Sequence, residues 1–148
     1  MKKLIYILTV AAIAILFYIV KTNQISDLDY TKIIIDDKII EVEIADTAEK
    51  HYQGLSNREN LCDNCGMLFV FPDKEERTFV MRDMNFPLDI IWISNDKIVK
   101  IDKNLLPEGS NPKMLYSSGQ PVNYVLEMNS GYAGKHGFKT GDMVKYSY

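Results

Sequence analysis

The 148-residue chain has only two cysteines, two histidines and one tryptophan. It contains no Gly-x-Ser-x-Gly elbow, no phosphate loop and no dinucleotide-binding glycine pattern. Those absences remove the commonest sequence marks of serine hydrolases, nucleotide triphosphatases and nicotinamide enzymes. No internal repeat, heptad or low-complexity tract is present, so solenoids and coiled coils are excluded. Positive charge is also scarce. Three of the 17 basic residues, Lys2, Lys3 and Lys21, flank an apolar run, leaving 14 against 20 acidic residues, a net of −6. Such a surface lacks the basic face that nucleic-acid phosphates require, and it disfavours close docking on anionic lipid.

From Leu4 to Val20 there is no charge at all. As a helix this run spans about 25 Å, slightly short of a ~30 Å hydrocarbon core. Lys2, Lys3 and Lys21 can snorkel to the two interfaces, where Tyr6 and Tyr18 are also suited. The run closes on Leu16-Phe17-Tyr18-Ile19-Val20-Lys21 without the small residues of a cleavage site, and without a cysteine to take a lipid. Residues 1–21 are therefore expected to be an uncleaved signal-anchor that inserts in the lipid bilayer through residues 4–20. The excess of positive charge before the run keeps the amino terminus cytoplasmic. Residues 22–29 form a polar linker, and residues 30–148 a single domain outside the cytoplasm.

Strand patterns dominate that domain. Ile40, Val42 and Ile44 alternate with Glu41 and Glu43, and Asp36-Asp37 supplies a turn to the preceding isoleucines, which predicts a hairpin. Asp46 or Thr47 can cap a two-turn helix that Gly54 ends. Gly66 to Phe71 and Leu88 to Ser94 are apolar on both faces and read as central strands. Pro72 to Glu76 reads as a charged turn and Thr78 to Arg82 as a strand, followed later by Lys97 to Asp102. Leu105 to Pro121 is the longest irregular stretch; such loops are often functional, and equally often just connections. Asn123 to Asn129 and Asp142 to Tyr148 complete the strands, with a helical turn at Tyr132 to His136. The expectation is a β-rich α+β domain: about eight short strands in a partly closed, barrel-like sheet with two short helices.

Cys62 and Cys65 form a Cys-x-x-Cys pair. As zinc ligands they are half a set, and His51 and His136 stand in distant segments. A thioredoxin-like centre needs a helix amino terminus at the first cysteine, whereas this pair runs into a strand and brackets Asp63. A structural disulfide closing a tight loop, in an oxidising space, is the remaining reading. Met67, Met81, Met84 and Met128 with the cysteines would suit soft copper(I), but methionine in apolar strands usually fills core. No metal or cofactor is expected.

Two carboxylates interrupt apolar strands: Asp89 before Ile90-Ile91-Trp92-Ile93, and Glu127 within Tyr124 to Met128. A buried carboxylate needs a partner or a wet cleft. An arginine such as Arg58 or Arg82 between them would make a structural network or the floor of a binding cleft. Alternatively the two would act as acid and base if their environments split their pKa values.

The ordered set Gly54-Leu55 with Arg58, Gly66-Met67-Leu68-Phe69, Met81, Pro87-Leu88-Asp89-Ile90-Ile91, Leu126-Glu127 with Gly131, and Gly141-Asp142 resembles the family catalogued as domain of unknown function 192. The similarity spans about Ile33 to Tyr146. It implies a compact β-rich domain of small exported or membrane-anchored prokaryotic proteins and leaves activity open. It adds Arg58, Met81, Asp89, Glu127 and Asp142 as candidate ligand-binding residues. The chain departs from the family pattern at Val80, where an aromatic residue is usual, and at Arg82-Asp83, where lysine-asparagine is usual. Together these readings lead to a membrane-anchored extracytoplasmic domain that binds a small molecule, peptide or glycan. The alternatives are a cell-envelope hydrolase using paired carboxylates and a purely structural envelope protein.

Overall fold

The computed structural model describes residues 30–147. The expected anchor over residues 4–20 and the whole linker, residues 22–29, therefore lie outside the described residues. Among those described, no helix is long and apolar enough to cross a membrane. The elements are β1 Tyr30–Ile35, β2 Lys38–Ala45, α1 Ala48–Gln53, β3 Cys65–Glu75, β4 Thr78–Phe79, β5 Leu88–Ser94, β6 Lys97–Leu105, β7 Tyr116–Ser117, β8 Val122–Asn129, α2 Tyr132–Lys135 and β9 Val144–Ser147.

Seven strands form one sheet in the order β6-β5-β8-β3-β2-β1-β9, and β4 pairs separately with β7. The β1–β2 hairpin turns at Asp36 and Asp37, with Asp36 in the left-handed region at φ 55°. Strand β2 then pairs in parallel with β3, Glu41 opposite Cys65 and Ala45 opposite Phe69. A parallel pair needs a crossover, and α1 lies within it. The sheet curls until its edges touch at one corner. There Lys97 bridges Met143, and the Val144 amide donates to Asp96 O at 2.7 Å. Contact at a single corner makes a half-barrel rather than a closed one.

Of the boundaries that differ from the sequence expectation, two have a plain cause in strand pairing. Pro72 to Glu75 continues β3 instead of turning, because an irregularity between Val70 and Glu75 lets pairing with β8 resume at Val122. Strand β4 stops at Phe79 because its partner β7 is itself only two residues long, set within the loop read as irregular.

Period-two alternation splits the buried side chains between the two faces of the sheet. Ile33, Ile35, Ile40, Val42, Leu68, Ile91, Ile93, Leu126, Met128 and Phe138 fill the concave side. Leu55, Met67, Phe69, Met81, Leu88, Ile90, Trp92 and Val125 form a second core on the other side, beneath the segment that follows α1. Trp92 is fully buried, and its indole N–H donates to Asp102 at 2.7 Å. At Gly66 the strands leave no room for a side chain. A Cβ there would lie 2.8 Å from Glu127 O and 2.9 Å from a Leu126 methyl.

Candidate functional site

Strand register decides where the two carboxylates go. Glu127 sits opposite Met67 on β3 and Ile90 on β5, so its side chain enters the second core. Asp89 sits opposite Met128 and enters the first core. The two carboxyls leave opposite faces of the sheet. No arginine can lie between them, and they do not form an acid–base pair.

Asp89 is fully buried and its hydrogen bonds are internal. Its carboxylate accepts from the amides of Asn104 at 2.9 Å, Gly131 at 3.1 Å and Ala133 at 3.0 Å. It pins the turn entering α2, and the β6 end, to the sheet. Asp142 accepts from the Lys139 amide at 2.9 Å, an internal turn contact beside the sheet-closing corner. Met81 is wholly buried in the second core. The methionines are divided, Met67 and Met81 in one core and Met128 in the other. Cys62 and Cys65 form a disulfide with Cα atoms 5.1 Å apart. Among the described residues no group of three His, Cys, Asp or Glu side chains is placed to hold a metal ion.

Glu127 has a different environment. It is 5% exposed, and among the described residues its carboxyl has no hydrogen-bond donor. Burial pushes its pKa up to about 8, opposed by the positive charge of Arg58. Arg58 itself donates to Glu43 at 2.6 Å. Glu43, Met67 and Glu127 are in register across β2, β3 and β8, so Arg58 serves this row from its Glu43 end.

The carboxyl opens into a cleft of about 520 Å³. One wall is α1 and the turn after it. Thr47 caps α1 by accepting from the Lys50 amide at 3.2 Å. Gly54, at φ 50° and ψ −136°, ends it and folds the chain close to Phe69 and Glu127. Ser56 Oγ then donates to Arg82 O, and the Asn57 amide to Asp83 O, both at 2.8 Å, tying this wall to the next. The His51 Nε2 lies 2.9 Å from Ala45 O and 3.1 Å from Val70 O. Both neighbours are acceptors, so that nitrogen carries the proton. Phe69 and Phe79 meet edge-to-face at 4.8 Å and line the interior with Met84 and Val80. At the margins two arginines lie over rings, Arg77 over Phe71 at 4.2 Å and Arg82 over Tyr52 at 4.0 Å.

Of the five residues the sequence put forward, only Glu127 lines this cleft; Arg58 acts on it by charge, and Met81, Asp89 and Asp142 lie elsewhere. His51, Tyr52, Phe69, Phe71, Arg77 and Phe79 line it and were not among those five. Their signal was available only in part, since aromatics in strands ordinarily read as core. Val80 and Arg82, two departures from the family pattern, both line the cleft.

A family model, DUF192 (Uncharacterized ACR), matches residues 31–146. No functionally curated protein matches the chain. A crystal structure from Novosphingobium aromaticivorans DSM 12444, of a protein of unknown function, is 30% identical with a TM-score of 0.74, covering 82% of this chain and 89% of that one. A Sinorhizobium meliloti 1021 structure, described as a candidate transcription regulator, is 27% identical with a TM-score of 0.73, covering 79% and 93%.

Proposed function

We propose that this chain, which belongs to the DUF192 family, is a binding module that takes a small molecule, or a peptide or glycan segment, into the cleft above Glu127. One observation carries the reading. Glu127, a residue only 5% exposed whose carboxyl has no donor from its own chain among the described residues, opens at the floor of a cleft. A buried polar group without a partner costs about 1–3 kcal/mol, a cost a folded domain accepts where a ligand supplies the partner. The phenylalanines of the lining supply apolar surface and its polar side chains can fix a ligand's orientation, as in other small-ligand sites. The test is a thermal-shift screen of the purified full chain with amino acids, amines, short peptides and cell-wall sugars. A saturable shift that disappears when Thr78→Trp obstructs the cleft is expected. If all these ligands leave the melting temperature unchanged, a purely structural envelope role replaces this one.

The domain is displayed outside the cytoplasm on an anchor formed by residues 4–20. Support comes from the uncharged run, its flanking lysines and the disulfide, which belongs in an oxidising compartment. Its partners are the bilayer and an envelope component rather than nucleic acid. Protease added to intact cells should degrade the domain; full protection would overturn this topology.

A further inference from the structure

We propose that the cleft selects an organic cation, an ammonium or guanidinium group on a small apolar body, held by the Glu127 carboxylate beside the Phe69 and Phe79 rings. This rests on the binding role proposed above and names its ligand class.

Charge matching inside the cleft favours a cation. Both rim arginines already have carboxylates from their own segments. Arg77 is paired with Asp73 and lies 3.6 Å from Glu75, and Arg82 lies 3.9 Å from Asp83 while donating to Tyr52 O. Each is also stacked on an aromatic ring. Glu76 accepts from Ser117 Oγ at 2.6 Å, and the His51 Nε2 is committed to two backbone carbonyls. Behind the floor Arg58 is bound to Glu43. Among the described residues Glu127 is thus the one acid of the lining without a hydrogen bond or ion pair within its own chain, while Arg77 keeps its Nε without a hydrogen-bond partner.

Ring placement adds to this. A Cβ built on Gly54 would lie 3.4 Å from Phe69 Cζ and 4.0 Å from Glu127 Oε2, so carboxyl and ring converge on one spot beneath that glycine. A carboxylate beside aromatic rings holds a desolvated cation by ion pairing and cation–π attraction together. An anion would be repelled by the carboxyl, and a neutral ligand would leave it without an ionic partner. Glu127 holds its proton near neutral pH when the cleft is empty. Cation binding must therefore expel that proton, and affinity rises with pH until the carboxyl ionises freely.

The experiment uses the full chain in detergent, labelled at glutamate carboxyl carbons, titrated with tyramine, its neutral analogue tyrosol and its anionic analogue 4-hydroxyphenylacetate. Tyramine should bind at least tenfold more tightly than either at pH 8. Its affinity should rise more than tenfold between pH 6 and pH 8, as a carboxyl with pKa about 8 goes from about 1% to about half ionised. Its binding should lower the Glu127 pKa measured by NMR, and Glu127→Gln should reduce tyramine to the level of tyrosol. Tyrosol or 4-hydroxyphenylacetate binding as tightly as tyramine would overturn the cation assignment while leaving the cleft a binding site. So would tyramine binding that ignores pH and Glu127→Gln. If none of the three moves the Glu127 signal, the cation assignment falls, and the binding role stands or falls by the thermal-shift screen.

Discussion

Asp89 and Glu127 stand one residue out of step on neighbouring strands, so one carboxyl serves the concave core while the other opens into the cleft. Two acidic residues that look alike in sequence thereby acquire separate tasks, one satisfied by backbone amides and the other left available.

Asp89 therefore acts on stability. Replacing it with alanine leaves the amides of Asn104, Gly131 and Ala133 without their acceptor. Hydrogen bonds to a charged group contribute about 1.5–3 kcal/mol each, and their losses overlap at one site. Urea unfolding of Asp89→Ala should show a loss of about 3 kcal/mol or more, with Asp89→Asn intermediate. A loss under about 1 kcal/mol would contradict this role.

Glu127 makes stability depend on pH. Its pKa rises from 4.5 to about 8 on folding, so the folded state holds a proton that the unfolded chain releases. The contribution is fully present below pH 4.5 and declines as pH rises towards 8, by up to about 1.4 kcal/mol per pH unit. Denaturation curves between pH 5 and pH 8 should show this fall in the wild type and a flatter profile in Glu127→Gln. Parallel profiles would mean that the carboxyl is already ionised.

Gly66 is a test of packing beside the site. An added methyl would meet the Glu127 carbonyl oxygen at 2.8 Å, and backbone cannot yield as a flexible side chain does. Gly66→Ala should lower stability by about 1–3 kcal/mol, the usual cost of overpacking. Because the displaced backbone carries Glu127, ligand affinity should fall as well. Wild-type stability in this variant would show that β3 and β8 can move apart.

The disulfide should matter modestly. No free thiol is expected before reduction, since both cysteines are joined. The loop is so short that cross-linking it restricts the unfolded chain by only about 2 kcal/mol. Reduction should therefore lower the melting temperature without unfolding the domain. Two reactive thiols in the untreated protein would contradict the bridge.

Local order was largely legible in the sequence. The β1–β2 hairpin, the α1 cap and stop, the apolar central strands and the β-rich class followed from alternation, turn residues and capping, all of which act over a few neighbouring positions. The cysteine spacing suggested the disulfide, and the ordered motifs pointed to the family. The candidate site was legible at one residue, Glu127. Its partners were not, because a side chain's function depends on which face it leaves, and that depends on pairing between distant strands. A one-residue offset separates Asp89 from Glu127, and nothing within either strand's own sequence encodes that offset. The crossover from β2 to β3 carries α1 over one face, and the β4–β7 pair brings Phe79 and Arg77 beside it. Only tertiary structure decided that these segments meet, leaving one carboxyl with backbone donors and the other without.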